Sequence, residues 1–198
     1  MIFCNLSILL AERKLKISKV SSDTGISRTT LTSLSFNHWQ GVRLETMDSL
    51  CKYLGVSVGD IFKFLPFDIK CVGCDYDKNT KSADVIFECV LNNFKGECHC
   101  FAEVNIHDYQ KSVNMCVYLD EYDADTQEEE RENNALRTIF KSLPVSIIND
   151  LKNDIADDLI DSILSNTTVE CDGEIYGYPE DLSAWDCDVY LPLQWKNN

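Results

Sequence analysis

Long apolar runs are missing from this chain. Nowhere do roughly 18 apolar residues follow one another, so no membrane-spanning helix is expected. The N-terminus lacks a basic stretch leading into a long apolar run, and Glu12-Arg13-Lys14 arrives early. No signal peptide is therefore expected, and the chain is placed in the cytoplasm. Histidine is scarce: His38, His99 and His107 are the only three, and none sits in a nucleophile or metal motif. There is no nucleophile elbow, no phosphate loop and no pair of histidines spaced along a helix, so an enzyme is not expected and no cofactor is implied. Internal repeats are absent. Positive charge is also in short supply, with 18 Lys and Arg against 33 Asp and Glu and a net charge of −15.

That shortage is uneven. Residues 1–70 hold nine Lys and Arg and six Asp and Glu, a net of +3, which leaves nine and 27 for residues 71–198, a net of −18. The least acidic part carries the most specific motif. Ile17 and Val20 lie three apart on one helical face, and Gly25 follows Thr24 where the chain must turn, since glycine accepts positive φ without a Cβ clash. Ile26 fills the angle between two helices. Ser27 has the chemistry of an N-cap for the second helix, and Leu31 and Leu34 face inward. Arg28, Thr29, Thr30, Thr32 and Ser33 are then left on the outward face. Arginine suits bidentate bonding to guanine, and threonine suits a thymine methyl or a phosphate. A helical hairpin with a polar face would share part of this pattern, so the flanks matter. Ile2, Leu6, Ile8, Leu9 and Leu10 predict an amphipathic helix before the motif. Leu44, Met47, Leu50, Cys51 and Leu54 predict another after it, stopped by Gly55, and Val56–Phe62 gives one more. Five short helices in about 65 residues is the economy of a compact DNA-binding domain.

Residues 1–65 resemble the Cro/C1-type (XRE) helix-turn-helix family of bacterial and phage regulators. The resemblance rests on Thr24-Gly25-Ile26-Ser27-Arg28, on Leu31 and Leu34, and on the run Gly41–Asp60, with its Gly-Val-Arg-Leu-Glu-Thr-Met start. It implies that Ser27, Arg28, Thr29, Thr30, Thr32 and Ser33 lie at the DNA, reading bases or adjacent phosphates. It further implies that Ser18, Asn37, His38, Gln40 and Arg43 touch phosphate, with double-stranded operator DNA as the partner of residues 1–66 and a homodimer as the bound form. Phe36 and Trp39 depart from the family pattern. They have three open roles: packing the domain, joining a dimer, or lying on the DNA backbone.

Pro66 and Gly73 mark a boundary, and residues 67–80 read as a linker. Residues 81–198 read as an acidic α+β domain following the all-α helix-turn-helix domain. Alternation over Asp84–Asn92, Glu97–Ile106 and Ser112–Leu119 predicts an antiparallel meander, linked at Asn92–Gly96 and His107–Gln110. Asp125 or Thr126 starts a helix running to about Lys141. After Pro144, a stripe of Ile148, Leu151, Ile155, Leu159 and Ile163 predicts a long amphipathic helix over the sheet. C-terminal strands are expected over Thr168–Tyr178 and Trp185–Trp195.

Two constellations after Pro66 bear on chemistry. Cys71, Cys74, Cys98 and Cys100 could supply four sulfurs for zinc, but Cys98 and Cys100 fall on an apolar strand face, where cysteine behaves as a small hydrophobe. With six further cysteines scattered singly and no secretion signal, a disulfide framework is the poorer reading. The acids Asp120, Glu121, Asp123, Asp125, Glu128, Glu129 and Glu130, with Asp154, Asp157, Asp158 and Asp161 on the long helix, form either a solvated coat or a docking surface for a basic partner. The two-part layout is similar, in architecture and charge, to that of some phage anti-CRISPR proteins. There a regulator domain that represses its own promoter is fused to a Cas nuclease inhibitor, and residues 81–198 would be the nucleic-acid mimic. The main reading is a DNA-binding transcriptional regulator, a repressor, whose acidic domain serves partner binding, dimerisation or sensing.

Overall fold

A computed structural model describes residues 1–109, 112–165, 169–171, 174–176, 185–192 and 195. The chain divides into two compact units, Met1–Pro66 and Phe67–Asn198.

The first unit is helical, with α1 Leu6–Glu12, α2 Ile17–Thr24, α3 Arg28–Ser35, α4 Leu44–Leu54 and α5 Val58–Ile61. It is not all-α. Strands β1 (Ile2–Cys4) and β2 (Phe62–Phe64) pair antiparallel, Ile2 opposite Phe64 and Cys4 opposite Phe62. Ile2, expected to begin the first helix, is instead an exposed strand residue. The helix starts only after Asn5, whose N–H donates to the Ile61 carbonyl at 2.7 Å. Leu6, Leu9 and Leu10 of α1, Val20 of α2, Leu31 and Leu34 of α3, and Met47, Leu50 and Leu54 of α4 close into one buried cluster with Ile61. Gly55 ends α4 in the left-handed region at φ 66, as the sequence suggested.

The second unit is a five-stranded sheet in the order β3-β4-β5-β6-β9, built from Phe67–Asp77, Ser82–Leu91, Phe94–Tyr109, Ser112–Asp120 and Trp185–Tyr190. The expected meander is there, with three corrections. Residues 67–77, read as linker, are the edge strand β3, with Phe67, Ile69 and Cys71 buried in alternation and a register shift between Cys71 and Gly73. The polar residues between them suggested a loop, but they are the outward half of a period-two pattern. His107–Tyr109, read as a turn, continue β5, which pairs with β6 as far as Tyr109 opposite Ser112. Phe94–Gly96, read as part of the preceding link, open β5 opposite Leu91–Cys89, so the hairpin closes through Asn92 and Asn93 alone, Asn92 taking the positive φ of 52 that tight hairpin turns require.

Helix α6 (Gln127–Ser142) starts at Thr126 in a reciprocal capping box with Glu129, and α7 (Val145–Ser165) follows Pro144. Both pack on one face of the sheet. Phe140 of α6 meets Phe87 of β4 edge-on at 5.7 Å and stacks on Trp195 at 4.5 Å. Leu151, Ile155, Leu159 and Ile163 of α7 are buried, whereas Ile148, expected in the same stripe, is half-buried. The crossover through α6 and α7 returns the chain to lay β9 parallel to β6, Tyr118 opposite Tyr190. Of the expected strand over Thr168–Tyr178, the described residues show two short strands, β7 (Val169–Cys171) antiparallel to β8 (Glu174–Tyr176); Thr168, Asp172, Gly173, Gly177 and Tyr178 lie outside them.

Candidate nucleic-acid interface

The helix-turn-helix is held by short polar contacts around a glycine. Gly25 sits at φ 74, and its N–H donates to the Ser21 carbonyl at 3.0 Å. The Thr24 hydroxyl donates to the Val20 carbonyl at 2.7 Å and accepts from the Ile26 N–H at 3.3 Å, while Ser21 Oγ donates to the Ile26 carbonyl at 2.7 Å. The turn is thus braced on both sides by hydroxyls of α2. Ser27 caps α3, accepting from the Thr30 N–H at 3.0 Å, and its hydroxyl lies 2.8 Å from that of Thr30. Val20, Leu31 and Leu34 are fully buried and fix the crossing of the two helices.

The structure separates the expected reading residues into two groups. Arg28, Thr29 and Thr32 are exposed on the first turns of α3, open to a groove. Ser27, Thr30 and Ser33 have hydroxyls engaged within the domain, Ser33 Oγ donating to the His38 carbonyl at 2.7 Å. Of the expected phosphate contacts, Ser18, His38, Gln40 and Arg43 are exposed. Asn37 is not available in that way. It takes a left-handed φ of 57, its Oδ1 accepts from the Cys4 N–H at 2.6 Å, and its Nδ2 donates to the Cys4 carbonyl at 3.4 Å. Its amide imitates a strand partner for β1. Trp39 is partly buried and meets Phe62 edge-on at 5.3 Å, so it packs the domain; Phe36 stays 60% exposed.

Two further features escaped the sequence reading. Helices α2 and α4 begin at Lys16 and Arg43, neither of which caps its helix with a side chain. Their first amide groups, and the positive end of each helix dipole, are left for an anion such as phosphate. The sequence signal was an absence: no Ser, Thr, Asp or Asn stands at either cap. Among the described residues, Lys14, Lys16, Arg28 and Arg43 enter no ion pair, whereas Lys19 is tied to Asp23 at 2.9 Å and Lys52 to Asp48 at 2.6 Å. Asp23, which also accepts from the Tyr53 hydroxyl at 2.7 Å, is held below the usual carboxylate range by Lys19 and Tyr53.

The acids of the second unit divide likewise. Glu121 accepts from Arg137 Nε at 2.8 and 3.0 Å, from the Arg137 Nη2 and from the Trp195 indole, and its side chain is 8% exposed. Glu129 completes the α6 cap, which holds it below its ordinary pKa through the Thr126 and Asp125 amides. Asp158 accepts from the Cys71 thiol. Asp120, Asp123, Asp125, Glu128, Glu130, Asp154, Asp157 and Asp161 are exposed. Burial, then the charges of Asp158, Asp150 and Asp157, push Asp154 up. The four sulfurs weighed for zinc do not converge. All four are free thiols: Cys71 donates to Asp158 at 3.5 Å, Cys74 to the Ile155 carbonyl at 3.7 Å and Cys100 to the Asp120 carbonyl at 3.0 Å, while Cys98 is buried on the apolar face of β5. No group of three or more metal-ligating side chains is assembled among the described residues.

A braced helix-turn-helix with an exposed arginine and threonines on its second helix, flanked by two open helix N-termini, defines a DNA-binding domain. Residues 5–66 match the Cro/C1-type HTH DNA-binding domain. The chain is 32% identical over 63 residues to YozG, an uncharacterized HTH-type transcriptional regulator of Bacillus subtilis (strain 168); the match spans 32% of this chain and 75% of YozG. The chain belongs to the Cro/C1-type helix-turn-helix family. No helix among the described residues is long and apolar enough to cross a membrane.

Proposed function

We propose that this protein is a sequence-specific transcriptional repressor that binds a two-fold operator as a dimer. Helix α3 enters the major groove, with Arg28, Thr29 and Thr32 as the reading side chains. Ser18, His38, Gln40, Arg43 and the open starts of α2 and α4 hold phosphates on either side. The observation that carries this reading is Arg28, an exposed arginine on the first turn of α3 with no ion pair among the described residues. Phosphate contacts supply position and base contacts supply choice, so the two groups have separable effects. The second unit serves assembly or receives a partner.

Selection of duplexes from a random pool tests the reading. The expected product is a site with two related halves about one helical turn apart. On that site Arg28→Ala is expected to weaken binding by about 1–3 kcal/mol and relax the preference at one base pair, while Arg43→Ala weakens all sequences alike. Unchanged affinity with Arg28→Ala would remove that residue from the reading set.

A further inference from the structure

Helices α6 and α7 both lie on one face of the five-stranded sheet, and the outward positions of the strands form the other. Solvated sheet faces are polar. This one carries a pair of stacked aromatic rings at its β6–β9 edge. Tyr118 of β6 and Tyr190 of β9 stack at 4.9 Å with an interplanar angle of 11°, and each is still more than two-fifths exposed, at 44% and 42%. Glu103 stands opposite Tyr118 in register, and Asp188 lies two positions before Tyr190 on the same face of β9, close enough for its charge to be the leading cause that pushes the Tyr190 pKa up. Asp186 continues the same row. From Glu97 to the end of β5, along all of β6 and along β9, there is no lysine or arginine.

We propose that this open sheet face is a docking surface for an arginine-bearing segment of a protein partner. A guanidinium stacks flat on a tyrosine ring while its N–H groups reach a neighbouring carboxylate. Tyr118 and Tyr190 supply the ring faces, with Glu103 and Asp188 beside them. The sign of the charge rules out DNA on this face and matches a cationic chain. The inference rests on the reading of the second unit as the part that receives a partner, and it moves that role from the acids of α7 to the opposite side of the sheet.

The test uses the full chain and two labelled peptides of equal length, oligo-arginine and oligo-lysine, titrated by fluorescence anisotropy. The arginine peptide is expected to bind more tightly than the lysine peptide at equal charge. The double variant Tyr118→Ser, Tyr190→Ser is expected to weaken arginine binding about 5- to 30-fold and to abolish the difference between the peptides. Tyr118→Phe with Tyr190→Phe keeps the rings and is expected to keep the binding. Should the serine pair unfold the sheet, as circular dichroism would show, Glu103→Gln with Asp188→Asn carries the same expectation with the rings in place. Arginine binding unaffected by these changes, or weakened as much by Asp154→Asn with Asp157→Asn on α7, would overturn the proposal, because net charge alone would then hold the peptide. Loss of self-association only, seen by sedimentation of the serine pair, would make the surface a contact between copies; the proposal would fall while the assembly role of the unit stood.

Discussion

The two units use their cations in different ways. In the N-terminal unit, Lys14, Lys16, Arg28, Arg43 and Lys63 enter no ion pair among the described residues, and the first four lie at or just before the starts of α2, α3 and α4. In the C-terminal unit, where cations are rarer against the acids, Arg137 is held by Glu121, Glu130 and Asn134. The surface proposed to meet phosphate leaves the Arg28 and Arg43 guanidinium groups open. A fold with an excess of carboxylates uses Arg137 to neutralise Glu121, whose side chain is 8% exposed. Exposure, more than net charge, tells the two uses apart.

The contrast can be broken by substitution. The largest effect is expected for Phe140→Ala, which empties a site between Phe87 and Trp195 and should destabilise the second unit by about 3–5 kcal/mol in denaturant titrations, with operator affinity retained. Glu121→Ala comes next. It leaves Arg137 without its main partner and frees the Trp195 indole, at about 2–3 kcal/mol, read by the same titration and by tryptophan fluorescence. If Glu121→Ala were neutral, its carboxylate would belong with the solvated acids and the distinction between the units would weaken. Ser27→Ala removes the α3 cap and should cost the first unit about 1 kcal/mol, with a smaller loss at the operator.

The smallest expected effect is a pH dependence. Asp84 accepts from His99 Nδ1 at 2.6 Å and raises the histidine pKa above 6.5, against an opposing desolvation. A raised folded-state pKa adds stability that is full below about pH 6.5 and lost as pH rises through the folded value. His99 is exposed enough for water to screen much of it. The difference in stability between the parent and His99→Gln should therefore shrink from about pH 6 to about pH 9. A difference that grew over that range would contradict the assigned pairing.

The helix-turn-helix was legible because its signals are local. Gly25, Ser27, Leu31 and Leu34 lie within one another's reach, and a turn, a cap and an apolar face need only neighbours in sequence. What escaped was set by distant partners. Ile2 has helical spacing to Leu6 and Leu9, and only Phe64, across the unit, makes it a strand residue. Residues 67–77 alternate as a strand should, but Pro66, Gly73 and the offset at Val72 interrupt the count, and pairing with β4 supplies the missing half of the argument. Asn37 and Glu121 look like surface polar residues until Cys4 and Arg137 are placed beside them. The acidic run Asp120–Glu130 reads as uniform in sequence and is not uniform in space.

The parallel pairing of β9 with β6 orders events on the ribosome. The DNA-binding unit has all its residues by Pro66, while the edge of β6 stays unpaired until Trp185–Tyr190 has been made. A nascent chain therefore carries a completed DNA-binding unit well before its sheet can close, with the backbone of Val113–Tyr118 open to misplaced strands in the interval. Chains that stall or are cut between Ser165 and Trp185 would keep the first unit and lack that last strand, giving molecules that compete for the operator without whatever the finished sheet contributes.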